Sequence, residues 1–280
     1  MKLYQGIHSL QNYLKGKRAQ NLQIGFVPTM GALHNGHLSL VKFAHQKCDV
    51  VVCSIFVNPT QFNNEKDLEF YPRPIKNDIK LLVEAGCHVL FHPQTSEMYG
   101  SGLHKDSSAN YGSFIEVLEG AHRPGHFDGV ITIVKRLFEI VEPNEVFFGQ
   151  KDYQQCLVVK KLIARNFRNI SFNQCVIERE PDGLAMSSRN VRLNIAEREA
   201  ANTLYTALMH IKNNWTRQNW LNAISKARAI IENNPLLNLA YLSVAHPATL
   251  QQLNAFEEKA VALIAVNCGE IRLIDNVLLG

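Results

Sequence analysis

Two histidines three residues apart, His34 and His37, follow Gly31 in the stretch GFVPTMGALHNGHLSL and flank Gly36. An apolar run over residues 24–27 precedes the turn, and a periodic segment from Leu38 follows it. The local pattern is strand, tight loop, helix, with Pro28 expected to end the strand because it cannot continue a central ladder. A helix N-terminus exposes backbone N–H groups and a partial positive charge, which suits a phosphate. Imidazoles at that point add hydrogen bonds to charge developing on phosphorus.

Other residue sets could serve the same chemistry. Asn58 and Gln61 follow the apolar run DVVVCSIFV, just past the carboxyl end of a strand, where polar groups can meet a ligand. The segment LEGAHRPGHFDGV carries His122, Arg123 and His126 before a helix and could close over an anion; an ordinary surface loop is the alternative. Gly149, Gln150, Lys151 and Asp152 follow a further apolar run and open another helix, with Gln155 on its first turn. A lysine there can reach a phosphate and an aspartate can accept from ribose hydroxyls. Ser187, Ser188 and Arg189 offer hydroxyl and guanidinium donors to a polyphosphate.

These loops need a scaffold. Near-continuous apolar runs over residues 24–27, 49–57, 88–91, 145–148 and 172–177 read as strands covered on both faces. Helical periodicity lies between them over residues 75–85, 130–141 and 153–166, with a further surface helix within residues 1–20. The fold class is therefore α/β, a parallel sheet with helices on both faces. From about residue 191 the pattern becomes two helices, near 195–213 and 217–233, then strands at 240–245, 261–266 and 271–277. That order marks a separate small α+β unit, so domains are expected over residues 1–185 and 186–280. Residues 99–113, rich in Gly, Ser, Asn and Lys, read as an exposed loop.

Composition sets the outer limits. A chain of 280 residues with 46% hydrophobic content can bury a large core, and 19% charge argues against disorder. A net charge of +4 without a concentrated basic stripe favours small anionic substrates over nucleic acid. Six cysteines, none in C-x-x-C spacing, read as reduced residues of a cytoplasmic protein. The N-terminal MKLYQGIHSLQNYL lacks a signal-peptide core, and no run of about 18 apolar residues exists to span a membrane. No P-loop and no G-x-G-x-x-G after a strand is present, and the two histidines lack a third ligand nearby, so no protein metal site is expected.

His34-Asn35-Gly36-His37 resembles the HIGH-type signature of nucleotidyltransferases and class I aminoacyl-tRNA synthetases. Five motifs in order, PTMGALHNGH, SIFVNPTQF, LEGAHRPGHF, FGQKDYQQ and GLAMSSRN, resemble the pantothenate synthetase (pantoate–β-alanine ligase) family. The resemblance implies that the parallel sheet is Rossmann-like, that the C-terminal unit is a lid and that the protein is a homodimer. It implies that the protein joins (R)-pantoate to β-alanine through pantoyl adenylate in an ATP- and Mg²⁺-dependent reaction. It implies that Met30, Gly31, Ala32, Leu33, His34, Asn35, Gly36 and His37 form a nucleotide loop, with His37 as proton donor. It implies that Gln61 and Gln155 hold pantoate, that Gly149, Gln150, Lys151 and Asp152 meet phosphate and ribose, and that Met186, Ser187, Ser188 and Arg189 meet the departing phosphates. Glu178 falls where the family contacts adenine through its backbone; the family often has valine there, so the side chain has no assigned role. Asn58 and Arg123 complete the pocket. Another nucleotide-forming transferase on the same fold would differ at Asn58, Gln61 and Gln155. A non-catalytic nucleotide-binding regulator is disfavoured by the intact histidine and serine–arginine motifs, and an RNA-binding fragment by the lack of a basic arm.

Overall fold

The computed structural model describes residues 1–100, 102, 106–107 and 111–280. Part of the loop expected over residues 99–113 lies outside the described residues. The chain forms two compact units, Met1–Gly149 with Gln154–Val176, and Gln150–Tyr153 with Ile177–Gly280.

The first unit begins with β1 (Lys2–Tyr4), α1 (Ile7–Arg18), β2 (Ile24–Thr29), α2 (Asn35–His45) and β3 (Val50–Ile55). It continues with α3 (Glu65–Glu69), α4 (Ile75–Glu84), β4 (Val89–Phe91), α5 (Thr95–Tyr99), α6 (Glu119–His122) and α7 (His126–Val141). β5 (Glu145–Gly149), α8 (Tyr153–Asn166) and β6 (Ser171–Cys175) close the series. All six strands are parallel, in the order β1-β4-β3-β2-β5-β6.

The strand side chains alternate between two cores, which is why the runs are apolar throughout. Ile24, Phe26, Val50, Val52, Val89, Phe91, Val146 and Phe148 share one core with Leu10 and Leu14 of α1, Val130 to Val141 of α7, and α8. Val27, Val51, Cys53, Ile55, Leu90 and Phe147 share the other with Leu40, Val41 and Ala44 of α2 and Leu82 of α4. Burying one such side chain contributes about 1.5–3 kcal/mol. All six cysteines are reduced and buried. Burial pushes the thiols of Cys48, Cys87 and Cys175 up to about 11.

Pro28 does not end the strand. β2 pairs with β3 through Pro28 and Thr29, opposite Ser54 and Ile55. Its pairing with β5 covers only Gly25 and Phe26. By Pro28 the strand has a ladder on one side, so a residue without an N–H is accommodated. β1 was not foreseen: Lys2 to Tyr4 add to the outside of β4 with no apolar run to signal it.

The second unit packs α9 (Ile195–Ala201), α10 (Thr203–Asn213) and α11 (Trp220–Glu232) on an antiparallel sheet, β7 (Leu237–Ala245), β8 (Ala260–Cys268) and β9 (Ile271–Leu279). The helix expected near 195–213 is two helices meeting at Asn202. Among the described residues no helix is long and apolar enough to cross a membrane.

Candidate active site

The chain winds from β2 to β3 and β4 on one side, then crosses to β5 and β6 on the other. Order therefore reverses between β2 and β5, and open α/β sheets take ligands outside the carboxyl ends of such strands. The loop leaving β2 is Met30 to Leu33, and it ends at His34, the N-cap of α2.

That loop is held by a residue the sequence reading did not single out. Asp78, on α4, is 1% exposed. Its Oδ2 accepts from the Ala32 N–H at 2.9 Å and its Oδ1 from the Leu33 N–H at 2.8 Å. Burial pushes the Asp78 carboxyl above the usual carboxylate range, against the pull of those two donors. Thr29 Oγ1 accepts from the Gly31 N–H and donates to the Ser54 carbonyl, tying the loop to β3. Gly31 has φ +83°, and a Cβ there would stand 2.9 Å from Ile55 and 3.0 Å from the Asp78 carboxylate. The turn thus requires glycine twice over, for conformation and for space.

His34 and His37 are locked by the backbone they cap. His34 Nδ1 accepts from the Gly36 N–H at 3.1 Å, and His37 Nδ1 accepts from the His34 N–H at 3.4 Å. The rings lie 4.1 Å apart, centre to centre. With both Nδ1 atoms used as acceptors, each neutral ring carries its proton on Nε2. The pair therefore presents N–H donors of fixed tautomer at a helix N-terminus, the arrangement an oxyanion on phosphorus calls for.

Four further candidates meet beside Met30. Gln61 Nε2 donates to Met30 Sδ, and Gln61 Oε1 accepts from Asn58 Nδ2 at 3.3 Å. Asn58 is 1% exposed and largely structural in its bonding. Its Nδ2 also donates to the Gly129 carbonyl, and its Oδ1 accepts from Thr60 and from the Tyr99 hydroxyl. The Gln61 carbonyl accepts from His126 Nδ1 at 2.8 Å and from Arg123 at 3.3 Å. Arg123 in turn donates to His126 Nε2 and stands 3.7 Å from the buried Glu119 carboxylate. The basic segment is thus built into the wall that holds Gln61. A Cβ on Gly129 would lie 2.5 Å from the Thr60 carbonyl oxygen and 2.7 Å from the Gln61 nitrogen, so only glycine lets α7 approach this turn.

Gln155 is half-buried on the first turn of α8. Its neighbour Gln154 has a different task, joining Glu119, Phe114 and Val117 to that helix.

In the second unit, Gln150, Lys151 and Asp152 form a short 3-10 turn. Lys151 Nζ stands 3.7 Å from Asp152 Oδ1. Glu178 and Met186 meet across a turn in which the Glu178 carbonyl accepts from the Met186 N–H at 3.0 Å and Arg179 bridges Ala185. Ser187 Oγ accepts from the Arg189 N–H, Ser188 is buried, and Asn190 Nδ2 donates to the Ala185 carbonyl. Among the described residues no group of three or more His, Cys, Asp or Glu side chains is placed to hold a metal ion.

A six-stranded parallel sheet with a histidine-capped helix at its switch point defines an α/β protein of the nucleotide- or phosphate-binding class. Comparison with known proteins narrows this. The family model described as pantoate-beta-alanine ligase matches residues 2–278. A pantothenate synthetase from Thermoanaerobacter pseudethanolicus is 44% identical, covering 98% of this chain and 97% of that one. One from Porphyromonas gingivalis is 41% identical over 99% of both. The crystal structure of pantothenate synthetase from Thermus thermophilus superposes with a TM-score of 0.92 at 38% identity, over 99% of both chains. The pantoate-beta-alanine ligase of Francisella tularensis, solved with beta-gamma ATP and beta-alanine, gives a TM-score of 0.81 at 37% identity, over 99% of this chain and 97% of that one. The chain belongs to the pantoate-beta-alanine ligase family.

Proposed function

We propose that the chain condenses (R)-pantoate with β-alanine, using ATP and Mg²⁺ and giving pantothenate, AMP and pyrophosphate by way of pantoyl adenylate. The support is the family match over residues 2–278 together with the histidine-capped N-terminus of α2 at the end of β2.

A carboxylate is a poor electrophile, so it must first gain a leaving group. In the first step a pantoate carboxylate oxygen attacks the α-phosphorus of ATP. The bond from that phosphorus to the bridging oxygen breaks, and pyrophosphate departs. In the second step the free amine of β-alanine attacks the acyl carbon, loses a proton, and displaces AMP, which keeps one pantoate oxygen.

Charge builds on the α-phosphate in the first step. His34 and His37 are assigned to it, their Nε2–H donors fixed by the helix cap. Lys151, Ser187, Ser188 and Arg189 are assigned to the phosphates, with Arg189 able to bind in a fork. Asp152 is assigned to ribose and the Glu178 backbone to adenine. Gln61 and Gln155 are assigned to pantoate, because an amide both donates to its carboxylate and accepts from its hydroxyls. Asn58, Arg123 and His126 fix the Gln61 segment. Mg²⁺ bound together with the nucleotide would offset phosphate charge and would need few protein ligands. Residues 186–280 acting as a lid, a homodimeric assembly and a cytoplasmic location without nucleic-acid or membrane partners complete the reading.

Exchange of labelled pyrophosphate into ATP tests it. Exchange is expected to require pantoate and Mg²⁺ but not β-alanine. With ¹⁸O in the pantoate carboxylate, one label should appear in AMP after full turnover. Label in inorganic phosphate, with ADP as product, would replace the adenylate by an acyl phosphate and overturn the proposal.

A further inference from the structure

β9 carries two adjacent polar residues, Asp275 and Asn276, in an otherwise largely apolar strand, and they are 3% and 1% exposed. Burying an amide and a carboxyl is costly unless each is fully bonded. Asn276 Nδ2 donates to the carbonyls of both Gln150 and Lys151 at 3.0 Å, and its Oδ1 accepts from Gln150 Nε2 at 3.1 Å. These three side-chain bonds all end on the two residues Gln150 and Lys151.

Asn276 is itself fixed from behind. Its N–H donates to Asp275 Oδ1 at 2.7 Å. Asp275 receives both arms of the Arg179 guanidinium, at 2.7 and 3.0 Å. Arg179 also donates to the Gly183 and Asn276 carbonyls and lies over the Tyr205 ring at 4.6 Å. A forked pair of this kind on a buried carboxylate is rigid. It links the strand to the turn that carries Glu178 and Met186.

We infer that Asn276, held by the Asp275–Arg179 pair, is a positioning residue that sets the backbone of Gln150 and Lys151 and so aims the Lys151 ammonium at the nucleotide phosphates. The inference rests on the assignment of Lys151 to phosphate made above. Small misplacement of a positioned group costs on the order of 10²-fold in rate.

The test is a double-mutant cycle with Asn276→Ala and Lys151→Ala, read in pyrophosphate exchange with ATP varied. Asn276→Ala alone should lower kcat/KM for ATP by roughly 10- to 100-fold, leaving KM for β-alanine in the full reaction within about twofold. In the Lys151→Ala background the same change should cost less than about threefold, because the group being aimed is gone. Hydrogen exchange on the Asn276→Ala protein should rise over residues 149–153 and stay unchanged over β8. An equal fold-loss in both backgrounds, or uniform loosening of β8, would make Asn276 a plain core residue and overturn the inference. Full activity of Lys151→Ala by itself would instead remove the lysine assignment, a separate outcome. Should Asn276→Ala fail to fold, Asn276→Thr also lacks the paired amide donors and is read the same way.

Discussion

Replacing Asp78 with asparagine is the most informative single change to the first unit. Each carboxylate oxygen of Asp78 accepts one backbone N–H of the Met30–Leu33 loop, at 2.9 and 2.8 Å. Asparagine keeps one acceptor and turns an NH₂ group toward the other donor, so either Ala32 or Leu33 loses its partner. A hydrogen bond to a charged group is worth about 1.5–3 kcal/mol, and an orphaned buried N–H costs a similar amount. Removing a buried carboxylate returns part of this, because its desolvation penalty disappears. The expected net loss is about 1–2 kcal/mol, a fall in Tm of roughly 3–6 °C for a unit of this size. The loop should shift at its tightest point, where Gly31 lies against Ile55 and Asp78, and kcat/KM should fall on the order of 10²-fold. Calorimetry and pyrophosphate exchange measure the two effects.

The pH dependence supplies an independent sign. Burial holds the folded-state carboxyl of Asp78 above its unfolded value. Such a group binds protons more readily in the folded state, so its contribution to stability falls as pH rises from the unfolded value, about 4, through the folded one. Asparagine has no such titration. The stability gap between wild type and Asp78→Asn should therefore narrow from acid to neutral pH. A variant as stable and as active as wild type, or a gap that widens with pH, would refute this account of the loop.

Two further outcomes follow from the same wall and cap. His37→Ala removes one preorganised donor and should lower kcat by ~10²–10³, while unfolding temperature changes little, since the bond its ring accepts from the His34 N–H is long, at 3.4 Å; near-normal turnover would take His37 out of the reaction. Gly129→Ala forces a methyl onto the Thr60 carbonyl and the Gln61 nitrogen, so KM for pantoate should rise and stability should drop by about 1–3 kcal/mol; unchanged pantoate binding would mean that the position of Gln61 does not matter.

Most of the sheet was legible because strands covered on both faces leave long apolar runs, as in residues 49–57, which enclose β3. β1 was not, because three residues on a sheet edge carry no pattern of their own. Pro28 misled because residue type does not reveal that β2 has lost its β5 ladder by that point. The helix containing Asp78 was read correctly, but the carboxylate was passed over. Its signal was present: Ile75, Asp78, Ile79 and Leu82 fall on one helical face, so a charge sits among core positions. The adjacent Asp275 and Asn276 in an apolar strand carried the same kind of signal. In both cases the partners lie far away in the chain, which no local pattern encodes.

The buried thiols give the molecule a set of silent reporters. At neutral pH a thiol pushed up to about 11 is almost wholly protonated, and only the thiolate attacks an alkylating reagent. Burial also keeps Cys48, Cys53, Cys87, Cys156 and Cys175 in the first unit, and Cys268 in β8 of the second, out of a reagent's reach until the surrounding structure opens. Each cysteine then becomes a clock for its own neighbourhood, its labelling rate recording how often that part of the fold comes apart. Five clocks run in one unit and one in the other, so mass spectrometry of the labelled chain can time their opening separately without the introduction of any probe.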